Sequence, residues 1–266
     1  MTTQPTSQPT TQPTTQPTSQ PDPHADLARV AESTERLLHT AAGLDQAAIG
    51  APSALPTWSR GHVLAHLARN ADSLVNLLES ARTGLDIPQY ASDEAREQGI
   101  AQGAGRPPAE QLTDLRESAA RLAEAAAALS EAAWGAELKH RHGYTFPATD
   151  LPWKRLQELE YHHVDLAAGY TPAHWPEEFA AAEFATLTAR FATLDGLPAL
   201  DLLADDTGAK ARLGGEGEPV LRVEGPVRAL TAWLSGRSDG DGLQVHRDGG
   251  PLADPRAALP ALPAMR

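Results

Sequence analysis

Apolar positions recur at helical spacing in four stretches of the chain. From about Ala25 to Leu44, the residues Leu27, Val30, Thr34, Leu37, Leu38 and Ala41 share one face. A second stretch begins near the potential caps Thr57 and Ser59 and runs through Val63, Leu67, Leu74 and Leu78 to Gly84, a natural stop. The third, Pro108 to Ala133, keeps Leu112, Leu115, Ala119, Leu122, Ala126 and Leu129 in register among alanines that favour helix. The fourth starts at Asp150, carries Pro152 in its first turn and ends at Gly169. Four amphipathic helices of this length predict a bundle, and the long connections on either side of the third can supply pocket loops.

After TPAHWP the texture changes. A helical stretch from Glu177 to about Ala192 leads into ALDLLADD, AKARLG and PVLRVEG, short apolar runs between Gly and Asp turns that read as strands. The helix PVRALTAWLSGR then precedes LQVHRDGG. The fold class is therefore mainly α, a four-helix bundle at 24–176 followed by a smaller α+β domain at 177–266. Residues 1–23 repeat Thr, Gln, Pro and Ser, cannot bury enough apolar surface to offset ordering, and are expected to form a disordered tail.

A formal net charge of −13 argues against nucleic acid and anionic membranes as partners and leaves small molecules or proteins. The chain has no cysteine, so thiol chemistry would need an imported thiol. Its N-terminus lacks the basic and apolar regions of a secretory signal, and no apolar run approaches membrane-spanning length, so a cytoplasmic location is expected.

The stretch RLQELEYHHVDL concentrates Glu158, Glu160, His162, His163 and Asp165 on the fourth helix. At 100° per residue, Leu156, Leu159, His163 and Leu166 form an apolar stripe, while Glu158, His162 and Asp165 cluster on a neighbouring face. Two metal readings compete. Glu158 and His162 at i, i+4 place a carboxylate oxygen beside an imidazole nitrogen, which suits zinc, whereas Glu160 and His163 use the i, i+3 spacing of dimetal bundles. The plain alternative is a core histidine and an ordinary helical Glu–His pair. On the second helix His66 lies nearer the apolar stripe than His62, which should be more exposed. His66 is either a third ligand or a buried neutral histidine bonded to a neighbour such as Asn70. With Glu158 and His162, His66 would complete an N,N,O set whose open fourth position is typical of catalytic zinc. His24, His39, His140, His142, His174 and His246 lack such partners and read as surface or loop residues, although His140 and His142 are placed to line a site.

The blocks WSRGHVLAHLARNADSLVNLLESARTG, YASDEAREQGIAQGAGR, LPWKRLQELEYHHVDLAAGYTPAHWP and GPVRALTAWLSGR resemble, in order, those of the mycothiol-dependent maleylpyruvate isomerases. The likeness covers nearly everything after the tail. It implies a DinB-like four-helix metal-binding domain followed by a smaller α+β domain, with zinc held by His66, Glu158 and His162. His163 then becomes a packing residue and Glu160 an outer charge, with Asp165 orienting either a ligand or the helix. The resemblance also implies a functional arginine in the second domain; Arg237 is the match, with Arg222 and Arg228 close by. Tyr90, Ser92 and Arg96 fall in a family-like loop where Tyr90 and Arg96 would contact the thiol or substrate.

The implied cosubstrate is mycothiol, and the implied reaction is cis–trans isomerisation of maleylpyruvate to fumarylpyruvate by reversible thiolate addition. Arg237 would stabilise developing enolate charge and hold a carboxylate. The same centre would also serve a mycothiol S-transferase acting on other electrophiles, and a third reading is a non-catalytic DinB-like binding protein. A small-molecule substrate and a low-molecular-weight thiol are the expected partners, and a monomer is plausible.

Overall fold

The computed structural model describes residues 22–214 and 217–263. The Pro/Thr/Gln tail up to residue 21 lies outside the described residues. Its last two positions do not: Asp22 caps the first helix through its carboxylate, and Pro23 is that helix's first residue.

The bundle is built from α1 (Pro23–Ala42), the short α2 (Gln46–Gly50), α3 (Arg60–Thr83), α4 (Asp93–Ala104), α5 (Pro108–Ala127) and α6 (Leu151–Asp165). Helices α1, α3, α5 and α6 bury their apolar faces together around Leu37, Val63, Leu67, Leu115 and Leu159. A second layer around Leu74, Leu78, Leu122 and Trp134 closes one end of the bundle. Buried Arg155 ties α6 to α3 by donating to the Leu67 carbonyl at 2.9 Å and to Asn70 Oδ1 at 2.7 Å. Asn70 is therefore engaged by Arg155 rather than by His66.

Periodicity did not reveal α4, because only Ile100 and Gly103 of that helix are buried. Close approach to α3 holds it in place: a Cβ on Gly103 would sit 2.7 Å from Ala65 Cβ, and one on Gly61 would sit 2.6 Å from the Ala104 carbonyl. Helix α5 stops at Ala127, short of the expected Ala133. The chain then turns to bury Leu129 and Trp134 and enters a hairpin of β1 (Glu137–Lys139) and β2 (Thr145–Pro147).

The second unit starts with α7 (Glu177–Ala192) and continues through β3 (Leu200–Ala204), β4 (Lys210–Leu213), β5 (Leu221–Gly225), α8 (Val227–Leu234), β6 (Gln244–Arg247) and β7 (Gly250–Pro251). Its sheet runs β4-β3-β5-β6-β7, with β3 and β5 parallel and the other pairs antiparallel. Helices α7 and α8 cover it around Phe184, Leu187, Phe191, Val223 and Leu230. Thus the molecule is a mainly α bundle joined to a smaller α+β domain. Trp175, Phe179 and Ala232 belong to the bundle's core cluster, so the two units share a packed boundary. Among the described residues no helix is long and apolar enough to cross a membrane.

Candidate metal centre

Helix α3 starts at the Ser59 cap, whose hydroxyl accepts from the His62 amide while Nδ1 of His62 takes the Ser59 amide. This reciprocal box commits His62 to the helix end. One turn later His66, 5% exposed, faces α6.

There Nε2 of His66 lies 2.9 Å from Glu158 Oε2, and Nε2 of His162 lies 3.3 Å from the same oxygen. The two imidazoles are perpendicular, with centroids 4.7 Å apart. One donor atom from each of His66, Glu158 and His162 falls within 4.8 Å of the others, so the three could hold a metal ion. The Trp58 ring packs beside His66, with centroids 5.5 Å apart.

Asp165 stands behind His162, with Oδ2 2.9 Å from Nδ1. A carboxylate in that place fixes the ring and leaves Nε2 as the donor facing Glu158. Asp165 in turn accepts from Arg237 at 3.2 Å on Oδ1 and 2.8 Å on Oδ2, a two-point contact that crosses from the second domain. Helix α8 ends at Leu234, and beyond its Ser235 cap Gly236 at φ +74° turns the chain to deliver Arg237, whose amide bonds to the Ala232 carbonyl at 2.7 Å. The guanidinium also lies 4.5 Å from the Tyr161 ring centroid and donates to the Ser235 carbonyl at 2.9 Å. Of the neighbouring arginines, Arg228 donates to the Trp175 carbonyl, and exposed Arg222 pairs with Glu224.

Burial dominates at His66, lowering its pKa and favouring the neutral imidazole. At His162 burial opposes the charge, but hydrogen bonds to Asp165 and Glu158 outweigh it and raise the pKa to about 9. Burial likewise opposes ionisation of Glu158, yet the two imidazoles hold its carboxyl well below the ordinary value. Asp165 is also lowered, burial being outweighed by His162 and Arg237. The set is thus a carboxylate between two imidazoles, a donor combination that suits a divalent ion such as zinc.

An amino group of Arg96 donates to Nδ1 of His66 at 3.3 Å, which places the His66 proton on Nε2, toward Glu158. Arg96 also lies 5.9 Å from the Tyr90 centroid, and both line the cavity in front of the centre. Ser92 does not: it caps α4. That cavity has a volume of about 440 Å³. His140 and His142 of the β1–β2 connection line it, together with Lys154, Glu183 and Arg237. A larger cavity of about 870 Å³ between α1 and α5 contains none of the three donors.

Two further residues of the cavity wall, Lys154 and Glu183, carry signals that are readable in the sequence. Lys154 is four residues before Glu158 on the same helix. Glu183 is an acid inside the apolar stripe of α7, buried and accepting from Trp153, Gln157 and Tyr161. Arg96 belongs to helix α4 rather than to a loop. Glu160 is not an outer charge: it is fully buried, accepting from Arg36 at 2.8 Å and from the Tyr170 hydroxyl at 2.6 Å.

The family model of the mycothiol maleylpyruvate isomerase N-terminal domain matches residues 8–167. Among solved structures, a mycothiol-dependent maleylpyruvate isomerase is 29% identical at a TM-score of 0.80, covering 92% of this chain and 97% of that one. A histidine-to-alanine mutant of a mycothiol-dependent maleylpyruvate isomerase is 28% identical, with the same TM-score and coverage. No protein of curated function matches the chain at a significant level.

Proposed function

Because the chain belongs to the mycothiol maleylpyruvate isomerase family, we propose that it catalyses the zinc- and mycothiol-dependent isomerisation of maleylpyruvate to fumarylpyruvate. The observation that carries this reading is the convergence of His66, Glu158 and His162 within 4.8 Å at a cavity of about 440 Å³. Zinc held by these residues would favour ionisation of the thiol, which could then add reversibly to the cis double bond, allow rotation about the resulting single bond, and depart unchanged.

In this reading the chain's own residues prepare the site. Asp165 holds the His162 ring so that Nε2 is presented beside Glu158. Arg237 holds Asp165, so it acts as a positioning residue through that carboxylate, ahead of any direct role on enolate charge. His66, kept neutral by burial, offers a lone pair once its proton moves to Nδ1. Arg96 cannot accept a proton there and would give up its contact with His66. Tyr90 and Arg96 line the side of the cavity assigned to the thiol or substrate. The cavity wall carries Lys154 and Arg190 as well as three carboxylate-paired arginines, which would favour an anionic substrate there despite a formal charge of −13 on the chain.

The test is incubation of the zinc-loaded protein with maleylpyruvate, with and without mycothiol. Isomerisation that needs the thiol and returns all of it supports the proposal. Stoichiometric consumption of the thiol, with a stable adduct, would replace the isomerase reading with a transferase.

A further inference from the structure

Lys154 precedes Glu158 by four residues on α6, a spacing that puts two side chains on one helix face about 5–6 Å apart at Cβ. It lines the cavity shared by His66, Glu158 and His162. Its ammonium lies 4.7 Å from the Phe146 centroid and 5.5 Å from that of Tyr144, so the β1–β2 hairpin supports it by cation–π contact. The other cations of the wall are answered within the protein or stand at its edge. Arg96 pairs with Glu97, Arg141 with Asp93 and Arg237 with Asp165. Arg190 is exposed and leans on Phe191. Half-buried Lys154 has no carboxylate within 4.0 Å among the described residues.

An ammonium drawn partly out of water gains most from an opposite charge, and here the fold supplies aromatic faces instead. We infer that Lys154 selects the electrophile: it pairs with a carboxylate of the bound substrate and so fixes which end of that molecule lies toward the metal donors. The identity of the carboxylate ligand rests on the isomerase reading above; the preference for an anion at this position does not.

The probe is maleate, titrated calorimetrically into the zinc-loaded protein beside its monomethyl ester. The unmutated protein should bind the dianion more tightly. Lys154→Met, which keeps the apolar stem, should weaken maleate by about tenfold or more and remove most of the preference over the ester, while Lys154→Arg should stay within about threefold. Zinc content and melting temperature should match across the set. Lys154→Gln serves as the neutral variant if Lys154→Met melts early. Equal maleate affinity in the unmutated and neutral proteins would overturn the inference, as would absence of maleate binding to the unmutated one. Charge-dependent binding without isomerisation of maleylpyruvate would leave Lys154 in its role and reject the proposed reaction.

Discussion

Two faces of α6 carry nearly the same residues and do different work. Toward α3 stand Glu158 and His162; toward α1 stand Glu160 and His163. On the α1 side the carboxylate and one imidazole nitrogen are partnered: Glu160 accepts from Arg36 and Tyr170, and Nε2 of His163 lies 2.8 Å from the Thr40 hydroxyl, while its buried Nδ1 has no hydrogen-bond partner among the described residues. The His163 ring also stacks on Tyr170 with centroids 3.7 Å apart. On the α3 side the neighbour is a third metal-type donor, His66, and a cavity opens in front. A glutamate and a histidine on a helix therefore become a structural tie or a candidate metal centre according to what faces them. An arginine and a tyrosine satisfy the carboxylate, whereas a second imidazole leaves the set able to accept a cation.

The most severe way to break this contrast is to delete donors on each face. His66→Ala or Glu158→Ala should lower zinc affinity by more than about 100-fold, since even outer partners cost about 10–100-fold. Competition against a chelator measures this. Glu160→Gln and His163→Ala should leave zinc affinity unchanged. Glu160→Gln should instead destabilise the fold by about 3 kcal/mol, toward the low end for a buried pair because Arg36 is partly exposed; denaturant unfolding reads it.

Next in size is the support behind His162. Asp165→Asn keeps the shape but weakens the carboxylate, and zinc affinity should fall by about 10–100-fold. Arg237→Lys, losing the two-point contact, should shift the same quantity in the same direction by less. An Asp165→Asn protein that held zinc as tightly as the unmutated one would show that the Asp165–His162 contact is incidental.

The adjacent histidines should give opposite pH slopes in metal-free protein. His162 is raised from 6.5 to about 9, so its contribution to stability is fully present below about 6.5 and is lost as pH rises through 9. Burial, with Arg36 and His174 adding to it, lowers His163 from 6.5 to about 4, so stability falls as pH drops from about 6.5 toward 4. Melting curves of His162→Gln and His163→Gln should each lose one slope. Zinc must also displace the His162 proton, so affinity should rise about tenfold per pH unit between roughly 6 and 8, with about one proton released.

The smallest expected effect is at Arg96. Removing its donor from Nδ1 of His66 in Arg96→Met should tighten zinc by a few-fold, as the proton arrangement for coordination is no longer opposed. Weaker binding in that variant would mean that Arg96 supports the centre rather than competing with it.

Much of this arrangement was legible from spacing. The faces of the second and fourth helices, the preference for His66 over His62, and the grouping of Glu158, His162 and Asp165 all follow from 3.6-residue periodicity. The end of α5 was not, because alanines continue the pattern without a Gly or Pro to stop it, and burial of Trp134 turns the chain away. Helix α4 was missed for the converse reason: it is held by Gly103 against Ala65 and has almost no apolar stripe.

Local sequence determined which side chains share a helix face, because backbone geometry fixes that over a few residues. It also made Glu158 and His162 neighbours whatever the rest of the chain does. Only the tertiary structure decided what meets each face: Arg36 and Tyr170 for Glu160, His66 for Glu158, and Arg237, from the other domain, for Asp165. Those partners come from helices and turns far along the chain. Packing of the cores brings them together, and the spacing within α6 carries no information about that packing.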